Sequence, residues 1–126
     1  MKTIYAAGNL LVKEDSLPLR IMNRLADAFP GFEFVELEPT DDMPEERDII
    51  IIDTVIGIDD VAVFTDIDAI ATQKMFSLHD FDLGTTLKLL KKAGRLDGVK
   101  IIGVPAHLSE EKAVEQVTKI DRKSVV

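Results

Sequence analysis

Four consecutive isoleucines, Ile49 to Ile52, stand between Asp48 and Asp53. Successive side chains of a strand point to opposite faces, so this run is apolar on both. Such a strand is buried only when helices cover each side of it, as at the centre of a layered α/β sheet. β-Branching at all four positions also favours the extended chain over helix. The run ends in Asp53, a carboxylate that is costly to bury without a partner. Plain turn chemistry and a functional role are both open to it.

Strand and helix alternate on either side of this run. Thr3 to Ala7 reads as a first strand, ended by Gly8-Asn9. Leu19 to Phe29 reads as a helix: Met22, Leu25 and Phe29 recur at spacings of three and four, and Ile21 and Ala26 widen the stripe. Pro18 suits its first turn, and Pro30-Gly31 stops it. Phe32 to Leu37 alternates apolar residues with acids, as a half-exposed strand does. Pro39 to Arg47 is polar loop. Asp48 to Val55 is the central strand. Val61 to Ile67 reads as a further strand, reached from Val55 through so short a link that an antiparallel hairpin is expected.

Ile70 to Leu83 reads as irregular. Thr85 to Ala93 reads as a helix closed by Gly94, and Val99 to Val104 as a strand. Ser109 is placed to cap a last helix with Glu110 and Glu111 in its first turn and Ala113, Val114, Val117 and Ile120 on its apolar stripe. Asp121 to Val126 reads as a tail that frays. The pattern predicts one α/β domain over residues 1–126. It is a three-layer sandwich with a mixed, mostly parallel central sheet of about five strands and helices on both faces.

Composition narrows the function classes. The chain has 126 residues, 46% hydrophobic and 30% charged, as a soluble globular domain does. It has no cysteine, which removes disulfides, thiolate nucleophiles and zinc–thiolate sites. The net charge of −8 argues against nucleic acid, whose phosphates need a basic face. No stretch approaches the length of a membrane span, and the N-terminus shows no secretion signal. A cytoplasmic protein is expected. Charge is uneven: Glu33 to Asp68 is mostly acidic and Lys88 to Lys100 mostly basic. A solvated face is the plain reading of each, and a docking surface for a charged partner the sharper one.

Three polar residues sit where strands hand over to loops: Asp15 after the first strand, Asp53 after the isoleucine run, and His79 in Ser77-Leu78-His79-Asp80. Ligands of open α/β sheets collect outside the carboxyl ends of the strands. Two carboxylates and an imidazole meeting there would suit a divalent transition metal. Each residue also has a plainer reading: Asp15 or Ser16 as a helix cap, Asp53 in a turn, and His79 as a solvated loop residue. His107, after Pro105-Ala106, lies on the same side and ranks lower. Other chemistries lack their motifs. There is no Gly-x-Ser-x-Gly elbow, no Walker loop and no Gly-x-Gly-x-x-Gly. The Asp-Thr/Ser-Gly signature of aspartic proteases is also missing, since Val55 follows Asp53-Thr54.

Taken in order, these segments resemble the nickel–iron hydrogenase maturation endopeptidases. Gly8-Asn9-Leu10-Leu11 followed by Glu14-Asp15 is similar to the opening motif of that family. Ile52-Asp53-Thr54-Val55 with Gly57 is similar to its second acidic motif. Ser77-Leu78-His79-Asp80 is similar to its histidine motif, followed by a Leu-rich helix and the strand Val99 to Pro105. The resemblance runs from about residue 3 to 120. Where the family usually has glycines after the paired acids, this chain has Ser16 and Pro18, which implies a stiffer loop. The chain is also shorter than typical members, which implies a reduced or rebuilt substrate groove.

The resemblance implies a metal-dependent, aspartic-type endopeptidase. Its partner would be the nickel-loaded precursor of a hydrogenase large subunit, from which it trims a C-terminal extension. Its metal and catalytic residues would be Asp15, Asp53 and His79, with Glu14 the alternative to Asp15. The nickel would be supplied by the substrate, with cadmium or zinc standing in for it in crystals. A monomer that binds neither nucleic acid nor membrane is expected. The alternative is a non-catalytic module that senses metal loading during hydrogenase assembly.

Overall fold

The computed structural model describes residues 2–8, 11, 16–37, 46–65, 89 and 91–120. Five strands form one sheet: β1 (Lys2–Ala6), β2 (Phe32–Glu36), β3 (Asp48–Val55), β4 (Ala62–Phe64) and β5 (Gly98–Pro105). Among the described residues, helices α1 (Leu17–Ala28) and α2 (Glu110–Thr118) join them. The strand order is β2-β1-β3-β5-β4. β1 is parallel to β2 and β3, and β3 is parallel to β5. β4 is antiparallel to β5.

The isoleucine run lies at the centre of the sheet, between β1 and β5. Ile51 and Ile52 are 0% exposed. On one face Ile50 and Ile52, with Ile4, Ala6, Ile102 and Val104, meet Leu17, Ile21 and Leu25 of α1 and Ala113 and Val117 of α2. On the other face Ile49, Ile51 and Val55 join Val99, Ile101, Ala7, Leu37 and Leu96 in a second buried cluster. Both faces are therefore covered, as the double-sided apolar run requires. The result is the mixed, mostly parallel α/β sandwich read from the sequence. Of the helix expected over Thr85 to Ala93, helical backbone is described at 89, 91 and 92. Gly94 closes it at φ 74°, with the Ala93 N–H bonded to the Leu89 carbonyl at 3.0 Å. Glycine has no Cβ to oppose that left-handed backbone.

The expected β3–β4 hairpin is absent. β4 is antiparallel, but its partner is β5, which lies between it and β3. The reason is the number of rungs on offer. β5 matches all eight residues of β3, from Asp48 opposite Gly98 to Val55 opposite Pro105, whereas β4 has three residues. The other edge of β3 is taken by β1. The link of residues 56–61 is long enough for the detour, since two strand spacings are about 10 Å and six extended residues span roughly 20 Å.

Caps follow the sequence at one helix and not at the other. The Ser109 hydroxyl accepts the Lys112 N–H at 3.1 Å, with Glu110 and Glu111 in the first turn of α2. Ser16 holds the N-cap position of α1 but makes no side-chain cap bond. Its hydroxyl accepts instead from Arg20 Nε at 2.9 Å. Arg20 also reaches Glu110 at 2.9 Å, both side chains part-exposed, so one guanidinium ties the start of α1 to the start of α2. A pair this exposed contributes at most about 1 kcal/mol.

At the amino rim of the sheet, Arg47 grips Asp97 with Nε and Nη2, each at 2.9 Å, and donates to the Gly94 carbonyl. The Arg47 hydrogen bond holds the Asp97 carboxyl below the ordinary carboxylate range, with Arg47's charge adding to it and desolvation opposing it. A carboxylate depressed in the folded state contributes stability above its unfolded pKa and loses it as pH falls through the folded value. Asp97→Asn should therefore lower the urea midpoint slightly at neutral pH, and the gap should close in strong acid. A gap that persisted in acid would assign the loss to packing instead of charge.

Candidate functional site

The carboxyl ends of β1, β3 and β5 lie side by side because the three strands are adjacent and parallel. β1 stays paired to the rim, with the Ala7 N–H bonded to the Ile52 carbonyl at 2.9 Å. The chain then leaves through Gly8, whose φ of 148° is one that side-chain-bearing residues rarely adopt. β3 reaches the same rim as Asp53-Thr54-Val55, and β5 as Val104-Pro105, followed by Ala106 and His107.

Asp53 is 1% exposed. Strand alternation gives its side chain the face of Ile49, Ile51 and Val55, and gives Thr54 the face of Ile50 and Ile52. Asp53 Oδ1 accepts the Thr54 N–H at 2.8 Å. An acid this deep is expensive unless hydrogen-bonded or set against a cation, and that is the environment in which side chains acquire functional acid–base or ligand roles. Next to it, the Thr54 hydroxyl is fully buried and has no hydrogen-bond partner among the described residues. An orphaned hydroxyl costs about 1–3 kcal/mol.

Gly103 is the rung opposite Asp53. A Cβ there would stand 2.6 Å from Val55 Cγ2 and 2.8 Å from Phe64 Cε2. The bare glycine lets Phe64 of β4 close over the rung next to Asp53. Gly103→Ala should cost about 1–3 kcal/mol by overpacking, read as a lower urea midpoint at unchanged slope. Wild-type stability in that variant would mean that Phe64 yields freely.

Of the three residues singled out by sequence, the structure places Asp53. Asp15, with its alternative Glu14, and His79 lie outside the described residues. Among the described residues no three His, Asp or Glu side chains gather as a metal cluster. His107 is exposed at the carboxyl side, as its position after the last strand implied. With Arg20, Arg24, Ser109, Glu110 and Glu111 it lines an open cleft of about 730 Å³ at the starts of α1 and α2. The Arg20 bridge in this cleft was not read from the sequence, because its acidic partner lies 90 residues away.

A second cavity, about 820 Å³, opens at the opposite rim among Lys2, Tyr5, Glu46, Asp48 and Lys100. There the Tyr5 hydroxyl donates to the Glu46 carboxylate, whose oxygens lie 2.8 and 2.7 Å away. Burial first, then that hydrogen bond, pushes the phenol pKa above its ordinary value. This rim is the amino end of the parallel strands, away from the ligand end of such sheets. Among the described residues no helix is long and apolar enough to cross a membrane.

No family model matches this sequence, and no curated protein matches it. Solved structures do share the fold. The hydrogenase-maturating endopeptidase HybD from E. coli superposes with a TM-score of 0.63 at 18% identity, over 98% of this chain and 94% of that one. An endopeptidase from Escherichia coli gives a TM-score of 0.65 at 18% identity, over 93% and 90%. The NiFe hydrogenase maturation protease HycI from Thermococcus kodakarensis gives 0.54 at 17% identity, over 94% and 91%. The fold implied by the sequence motifs is thus the fold observed.

Proposed function

We propose that this chain is an endopeptidase that removes a C-terminal extension from the nickel-loaded precursor of a hydrogenase large subunit. The observation that carries the reading is Asp53: a carboxylate 1% exposed, at the carboxyl end of the central strand, in a chain with the fold of hydrogenase maturation endopeptidases. Asp15 and His79 join it in the proposal as the other two metal-contacting residues. The order of the three motifs supports that set, as does the shared carboxyl rim of β1, which leads towards Asp15, and of β3, which carries Asp53. Oxygen and nitrogen donors of this kind suit nickel, which here arrives with the substrate. Nickel held there would polarise the scissile carbonyl or position the protease, and a carboxylate is suited to activate the attacking water.

The test is to incubate the purified chain with nickel-loaded precursor and to follow the precursor by intact mass. The expected result is loss of a short C-terminal peptide that requires nickel in the precursor. A complex that forms without mass loss would instead favour the non-catalytic metal-sensing module.

A further inference from the structure

The stretch from Lys88 to Lys100 holds five basic residues and one acid, in a chain of net charge −8. That acid, Asp97, is engaged by Arg47, two nitrogens of which reach its carboxylate at 2.9 Å each. Lys91, Lys92 and Arg95 are exposed and make no ion pair among the described residues. Beside them Leu89 is 62% exposed. Their closeness is local. The Ala93 N–H bonds to the Leu89 carbonyl at 3.0 Å, and the Gly94 N–H to the Lys91 carbonyl at 3.1 Å. These residues therefore share the last helical turn before Gly94, with Arg95 just past it. On such a turn Leu89 neighbours Lys92 and Ala93, which is exposed as well.

Cations at the carboxyl end of a helix complement its dipole, which accounts for Lys91 and Lys92. It does not account for a leucine held out in water among them, the arrangement of an apolar anchor within a polar rim. The turn is also fastened in place. The Arg47 carbonyl accepts the Asp97 and Gly98 N–H groups at 2.7 and 3.2 Å, and its guanidinium donates to the Gly94 carbonyl at 2.9 Å. Little ordering is left to oppose binding. Gly98 is the rung opposite Asp48, which puts the turn at the amino rim, about 17 Å along β3 from Asp53. The net charge of −8 opposes a long polyanion such as DNA or an anionic membrane. A partner small enough to meet only this patch is spared that repulsion by screening. An amphipathic helix carries an apolar stripe and acidic flanks on one side. We propose that Leu89, Lys91, Lys92 and Arg95 form a docking surface for an acidic amphipathic helix of a partner protein, its apolar residues over Leu89 and its carboxylates against the three cations. The surface stands apart from the processing reading, and a helix bound there leaves the carboxyl rim open.

The test is a fluorescence-anisotropy titration of a labelled synthetic helix of Leu and Glu with the full chain. Binding should saturate, and added salt should weaken it. Leu89→Ser and Lys92→Glu should each weaken it about tenfold, the first by removing the apolar contact and the second by setting like charges together. Unchanged far-UV circular dichroism and melting temperature would show that these exposed-site variants remain folded. The same helix with Gln for Glu, or with Ala for Leu, should bind at least about tenfold more weakly. Variants that bind like the parent would overturn the proposal, as would a helix that fails to bind at low salt. Tighter binding of duplex DNA or phosphatidylserine vesicles, lost in Lys92→Glu, would overturn it in favour of a polyanion. Precursor processing plays no part in these readouts. A failed cleavage assay therefore leaves the surface standing, and a failed titration leaves the protease reading standing.

Discussion

Asp53→Asn should leave the fold in place and lower precursor processing by about 100-fold or more, the range for loss of an acid–base group. Asparagine matches the shape of aspartate and keeps the Oδ1 acceptor for the Thr54 N–H. It removes only the charge and the capacity to take a proton or bind a cation tightly. If Asp53 were buried merely to hold the Thr54 N–H, the amide would serve as well and processing would continue at the wild-type rate. The retained fold is checked by circular dichroism, which separates lost chemistry from lost folding. His79→Ala should share the loss of processing. Its persistence in either variant would remove that residue from the proposed site.

Ile51→Ala should cost about 4 kcal/mol and lower the melting temperature by more than about 10 °C. Ile51 is 0% exposed and belongs to the cluster of Val99, Ile101, Leu96 and Leu37. Its neighbours in the sheet are β1 and β5, both held by backbone pairing, so the sheet has little freedom to collapse onto the missing atoms. Val35→Ala, at 37% exposure on an edge strand, is the control and should change stability by no more than about 0.5 kcal/mol. Equal losses in the two variants would mean that the face of Ile51 is not closely packed. Guanidinium denaturation followed by far-UV circular dichroism measures both.

Much of the fold was legible because its signals are local. The β-branched run Ile49 to Ile52 marked the central strand, and the stripe of Met22, Leu25 and Phe29, widened by Ile21 and Ala26, marked the helix, in which Ile21 and Leu25 are buried and Met22 is half-buried. Ser109 with Glu110 and Glu111 marked the start of α2. Of the two cap candidates Asp15 and Ser16, Ser16 holds the N-cap position, and its hydroxyl accepts from Arg20 one turn on. β4 misled. A short link constrains how far the chain can travel, but not which neighbour has the most rungs to offer. For the site, the position of Asp53 could be read from the end of an apolar run. Its burial could not, because that depends on what β5 and β4 bring against it, including the missing side chain at Gly103.

What the sequence determined by itself was which segments extend, which coil, and that an acid ends the apolar run of the innermost strand. Those are properties of periodicity, propensity and capping within a few residues. What only the tertiary structure decided was the order β2-β1-β3-β5-β4, the Arg20 tie between helices 90 residues apart, and the depth at which Asp53 lies. These are outcomes of competition between distant segments for the same edges and faces, and that competition is settled only when all of them pack together.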